Sequence, residues 1–240
     1  MDLKRVLLSD LYPTRYFQKN TKLGKDNHVI ISIPHEYCSV NESIHRHLCD
    51  KAAPYVAAVI ERKLDRCDNI KTKTFNGTVY RRRCDLNRKE SRVYSCGFRP
   101  EMTNYTKKLL MNPKSNVFCI DIHSYPKKYK KWSENLDLYI LDDDPAIKPY
   151  TKLFVKYMKE HGVKCSAVPG KIGENDIMVE MRSMGVDCFL IEFNEQILVK
   201  NAAEFNSIMN TSQSRIVGEI KERIDYVCNK VVDWISTINF

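Results

Sequence analysis

Five short runs of apolar and β-branched residues punctuate the chain, with amphipathic stretches between them. Residues 28–33, 116–122, 136–141, 163–168 and 186–193 read as strands, and 78–83 is a further candidate. The run 116–122 (NVFCIDI) is apolar almost throughout, the pattern of a strand buried on both faces. Helical spacing occurs over 43–66, where Val56, Val59, Ile60 and Leu64 share a face and Asn41 or Ser43 can cap. It recurs over 101–111, 147–161, 175–184 and 214–238. Pro54 predicts a kink or a break in the first helix, and Gly162 stands where the third should end. Strands alternating with helices predict an α/β fold: a single three-layer αβα domain over 1–240 with a mixed, largely parallel sheet. No linker, low-complexity tract or internal repeat interrupts the pattern.

Composition adds limits. The 240 residues are 43% hydrophobic and 29% charged, and no apolar run approaches the ~20 residues of a membrane span. The amino terminus has a short apolar patch, Val6-Leu7-Leu8, and lacks the longer run of a secretory signal, so a cytoplasmic protein with no membrane partner is expected. Nine cysteines without any C-x-x-C pair read as reduced core thiols. The net charge of +9 gathers at Arg81-Arg82-Arg83 with Arg88 and at Lys127-Lys128 with Lys130-Lys131. A nucleic-acid partner is not expected, because Tyr129 and Trp132 sit among the lysines without any recognised binding motif.

In open α/β sheets chemistry collects where strands end, and four such places carry it here. Ser32-Ile33-Pro34-His35 delivers a histidine at a strand mouth, and Asp121-Ile122-His123-Ser124-Tyr125-Pro126 delivers another. Asp121 shares a face with His123 and can orient a ligand from behind. Zinc needs a third protein ligand and an open position. Asp50, Cys38, Glu36, Glu42 and His47 are the candidates, and spacing does not choose among them. Arg81-Arg82-Arg83-Cys84-Asp85-Leu86-Asn87-Arg88 can present a guanidinium fork to a carboxylate. Glu192, inside the apolar run Phe189–Asn194, must pair with a cation or work near a metal.

Taken in order, SIPH at 32–35, HLCDKAA at 47–53, RRRCDLNR at 81–88, DIHSYP at 121–126 and LIEFN at 190–194 resemble the N-formylglutamate amidohydrolase family, related in fold to the zinc carboxypeptidases. The resemblance implies one Zn²⁺ per chain held by His35, Asp50 and His123, with Glu192 as catalytic base and Arg81 on the oxyanion. It further implies Asn87 and Arg88 on a substrate carboxylate, with Asp121 and Ser124 in support. The implied activity is hydrolysis of an amide bond in a small N-acyl amino acid or in a peptide with a free carboxylate. The alternative is a catalytically altered relative that binds an acidic peptide or nucleic acid. The chain departs from the family in two places: Glu36-Tyr37 follow the first histidine where a small residue is usual, and Ala52 replaces a glycine.

Overall fold

A computed structural model describes residues 26–35, 50, 52–79, 84–88, 97–125, 136–142, 147–170, 176–195 and 219–237. Six strands and five helices alternate through them. The strands are β1 (Asp26–Ile33), β2 (Ile70–Asn76), β3 (Ser115–Tyr125), β4 (Leu138–Asp142), β5 (Cys165–Pro169) and β6 (Asp187–Asn194). The helices are α1 (Ala53–Leu64), α2 (Phe98–Leu110), α3 (Lys148–Glu160), α4 (Asp176–Ser183) and α5 (Glu219–Thr237).

The strands form one sheet in the order β2-β1-β3-β6-β4-β5. β2, β1, β3 and β6 run parallel; β4 pairs antiparallel with β6 and parallel with β5. The sheet is thus mixed and mostly parallel, as the alternation of elements predicts. Its central strands β1, β3 and β6 are buried along both faces, because helices cover both. Trp234 of α5 meets Phe154 of α3 and Phe189 of β6 edge-on, with centroids 4.7 and 5.8 Å away, which places α3 and α5 on one face. On the other face α2 and α4 are clasped by buried Arg99, whose guanidinium pairs with Asp176 and Glu180.

Two elements differ from the sequence reading. The helix expected over 43–66 spans Ala53–Leu64, with Pro54 in its first turn, where a missing N–H leaves no bond unmade. Asp50 therefore precedes the helix instead of lying within it; 43–49 fall outside the described residues. The strand expected over 78–83 is absent at Thr78 and Val79, and 80–83 fall outside the described residues. The strand in that region is β2, IKTKTFN, an edge strand whose exposed Lys71 masks its pattern. Gly162 follows the last turn of α3 with φ of 69°, the left-handed C′ position expected of it.

Candidate metal centre

The parallel strands β1, β3 and β6 all end at the same edge of the sheet, and the candidate residues collect there. Past β1, the chain turns at Pro34 and His35. Gly77, just past β2, donates its N–H to the Ile33 carbonyl at 2.8 Å. A Cβ on Gly77 would stand 2.1 Å from the Pro34 carbonyl oxygen, so this contact admits glycine alone. The close approach pins the turn that carries His35.

His35, Asp50 and His123 converge. Asp50 Oδ2 lies 3.3 Å from His35 Nδ1 and 2.6 Å from His123 Nδ1, and the two rings stand 4.9 Å apart. All three residues are buried. Each ring's far nitrogen meets a second carboxylate: His35 Nε2 lies 2.7 Å from Asp85 Oδ1, and His123 Nε2 lies 3.2 Å from Asp121 Oδ2. Burial works against charge on Asp50, but the His35 and His123 imidazoles hold its pKa well below the usual carboxylate range. Burial likewise opposes charge on His123, yet Asp121 and Asp50 raise its pKa well above that of an ordinary histidine. The pocket therefore favours positive charge beside Asp50, supplied by a proton on His123 or by a cation.

The donor set fits a divalent metal. The three ligand atoms lie within 4.8 Å of one another, the one such group of three among the described residues. Tetrahedral zinc with ligands near 2.1 Å separates them by about 3.4 Å. The Asp50–His35 distance of 3.3 Å matches it, while the 2.6 Å Asp50–His123 contact is a direct hydrogen bond that an ion would replace and widen. Carboxylates on both Nε2 atoms leave the Nδ1 lone pairs for a metal, the outer arrangement that metal-binding histidines use.

The sequence marks the segment 81–88 but not Asp85 within it. The Oδ1 of Asp85 also accepts from the Asn87 backbone N–H at 3.0 Å, a local turn that fixes the carboxylate. Asn87 is buried, with Nδ2 3.2 Å from His123 Nε2 and 3.5 Å from Asp121 Oδ2. Its Oδ1 accepts from the Ile177 N–H in the first turn of α4. Arg88 is 43% exposed, its Nε 3.8 Å from Asp85 Oδ2, and its carbonyl accepts from Arg99.

Ser124 faces the opposite side of the sheet from His123. Its Oγ accepts from the Ala52 N–H at 3.1 Å and donates to Glu195 Oε1 at 3.1 Å, tying the Asp50 segment to β3. Glu195, one residue past β6, is buried; the sequence pattern points to Glu192 within the strand and gives no sign of Glu195. Glu192 is the register partner of His123 on one side and of Tyr139 on the other, so it shares the His123 face. Arg81, Glu36, Cys38, Glu42 and His47 fall outside the described residues.

Comparison with known proteins supports the fold. No family model and no curated protein matches the sequence. Among solved structures, a gene product of Agrobacterium tumefaciens is 12% identical with a TM-score of 0.56, over 88% of this chain and 92% of that one. The catalytic domain of an N-acetylmuramoyl-L-alanine amidase from Bacillus (Paenibacillus) polymyxa var. colistinus is 12% identical with a TM-score of 0.50, over 88% and 96%. A metallo-carboxypeptidase from Burkholderia cenocepacia is 10% identical with a TM-score of 0.50, over 91% of this chain and 59% of that one. The chain has the α/β fold of zinc carboxypeptidase-like proteins. No helix among the described residues is long and apolar enough to cross a membrane.

Proposed function

We propose that this protein is a zinc-dependent hydrolase that cleaves the amide bond of a small N-acyl amino acid or of a peptide with a free carboxylate. The observation that carries the reading is the doubly braced pair of histidines: both Nδ1 atoms face Asp50, and both Nε2 atoms face a second carboxylate. His35, Asp50 and His123 would hold the ion. When bound, Zn²⁺ supplies Lewis acidity, polarising an amide carbonyl and lowering the pKa of water toward neutrality.

The remaining chemistry falls to side chains. Glu192, on the His123 face of β6, takes a proton from water as the oxygen adds to the carbonyl carbon. It then returns that proton to the nitrogen as the C–N bond breaks. Arg81 is assigned to the oxyanion on the strength of the family resemblance. Arg88, half-exposed, offers its guanidinium to a substrate carboxylate. Asn87, buried with its amide against His123 and Asp121, is assigned to that carboxylate on the family resemblance. Asp121 and Ser124 hold the ligand-bearing segments. The whole chain, 1–240, is taken as one domain serving this centre.

The test is a screen of the zinc-loaded protein against N-formylglutamate, other N-acyl amino acids and short peptides with free carboxyl termini. Zinc-dependent release of an amine from one of these classes is expected. A fully zinc-loaded protein inert toward all of them would remove the hydrolase assignment.

A further inference from the structure

Ser32 and Asp121 are register partners on the adjacent parallel strands β1 and β3, so their side chains leave the sheet on the same face, about 5 Å apart. Both are fully buried. Asp121 Oδ2 is engaged by His123 Nε2 and Asn87 Nδ2, while its other oxygen, Oδ1, has no hydrogen-bond partner among the described residues. Ser32 Oγ has none either. A buried carboxylate oxygen and a buried hydroxyl left unpaired each carry a desolvation penalty, and native interiors avoid leaving two side by side. One of these atoms accepts; the other can donate. The flanking members of the same row, Phe75 beside Ser32 and Leu190 beside Asp121, are apolar. Within that row Ser32 is the sole side-chain donor for Asp121 Oδ1.

We propose that Ser32 is a positioning residue for the metal centre. Its hydroxyl donates to Asp121 Oδ1, directly after rotation about χ1 or through one bridging water, and so orients the carboxylate that holds His123 Nε2. With Oδ1 occupied, Oδ2 stays turned toward the ring, and His123 Nδ1 stays turned toward Asp50. The proposal rests on the reading of His35, Asp50 and His123 as metal ligands.

The experiment is a double-mutant cycle on the full chain with Ser32→Ala, Asp121→Asn and the combination, and with Ser32→Thr as the hydroxyl-keeping control. Zinc affinity is measured by competition with a chromogenic chelator. Ser32→Ala should weaken zinc about 10-fold, in line with the effect of outer partners at metal sites. Ser32→Thr, which keeps the hydroxyl, should bind zinc more tightly than Ser32→Ala, and the double variant should be no weaker than Asp121→Asn alone. Unchanged affinity in Ser32→Ala, or losses that multiply in the double variant, would overturn the proposal. The same cycle read by urea denaturation in excess chelator tests the contact without metal: coupled effects support it, and independent effects overturn it. Failure of the parent protein to bind zinc would refute the metal reading, leaving the metal-free cycle to decide the Ser32–Asp121 contact.

Discussion

Asp50 and His35 are joined twice: the Asp50 backbone N–H donates to the His35 carbonyl at 2.9 Å, and Asp50 Oδ2 lies 3.3 Å from His35 Nδ1. The same oxygen lies 2.6 Å from His123 Nδ1. One carboxylate therefore ties the segment before α1 to the ends of β1 and β3. The backbone bond sets where Asp50 sits, which leaves its side chain to serve the two rings.

Asp85 holds the far side of His35, so Asp85→Asn should weaken zinc binding about 10- to 100-fold while leaving the fold unchanged. Chelator competition and circular dichroism check the two halves. An affinity equal to the parent's would show that His35 needs no carboxylate on Nε2.

Gly77 is the tightest backbone contact near the site. Gly77→Ala puts a methyl group against the Pro34 carbonyl oxygen and must displace the turn that carries His35. A loss of about 1–3 kcal/mol in urea denaturation is expected, as for other overpacked positions, together with weaker metal retention. An unchanged denaturation midpoint would contradict this.

Glu192→Gln keeps the shape of the side chain and removes its basicity. Turnover should fall about 10²- to 10⁴-fold while zinc content stays at the parent level. Undiminished hydrolysis would take the proton-transfer role away from Glu192.

At the other end of β6, burial pushes the Asp187 carboxyl up to about 7, with Arg182 pulling the other way. The folded protein thus keeps a proton that the unfolded chain releases near its ordinary value of 3.8. The stability from that proton is fully present below 3.8 and is lost as pH rises through about 7. Asp187→Asn should match the parent's Tm at pH 4 and exceed it at pH 8 by about 3 °C or more. Parallel Tm profiles for the two proteins across this range would contradict the assignment.

The parts of the fold that were legible in sequence are those with an unambiguous period or a punctuating residue. β1, β3 and β6 each contain a run of apolar residues and are buried on both faces, and Gly162 marks the end of α3. β2 was not legible: an edge strand needs few buried positions, and Lys71 and Lys73 break its apolar run. The two histidines could be read because each closes an apolar strand. Asp50 could be chosen among the candidate ligands through family resemblance alone, since its position depends on a backbone bond to His35 across 15 residues. Asp85, Gly77 and the Ser32–Asp121 pair act through contacts between strands and loops distant in sequence, which no local pattern encodes.

Metal content tests the central claim most directly. After purification and exposure to zinc, the parent protein should retain about one Zn²⁺ per chain. The His35→Ala/His123→Ala double variant, verified as folded by circular dichroism, should retain little. Full zinc in the double variant, or none in the parent, would contradict a centre built from His35, Asp50 and His123.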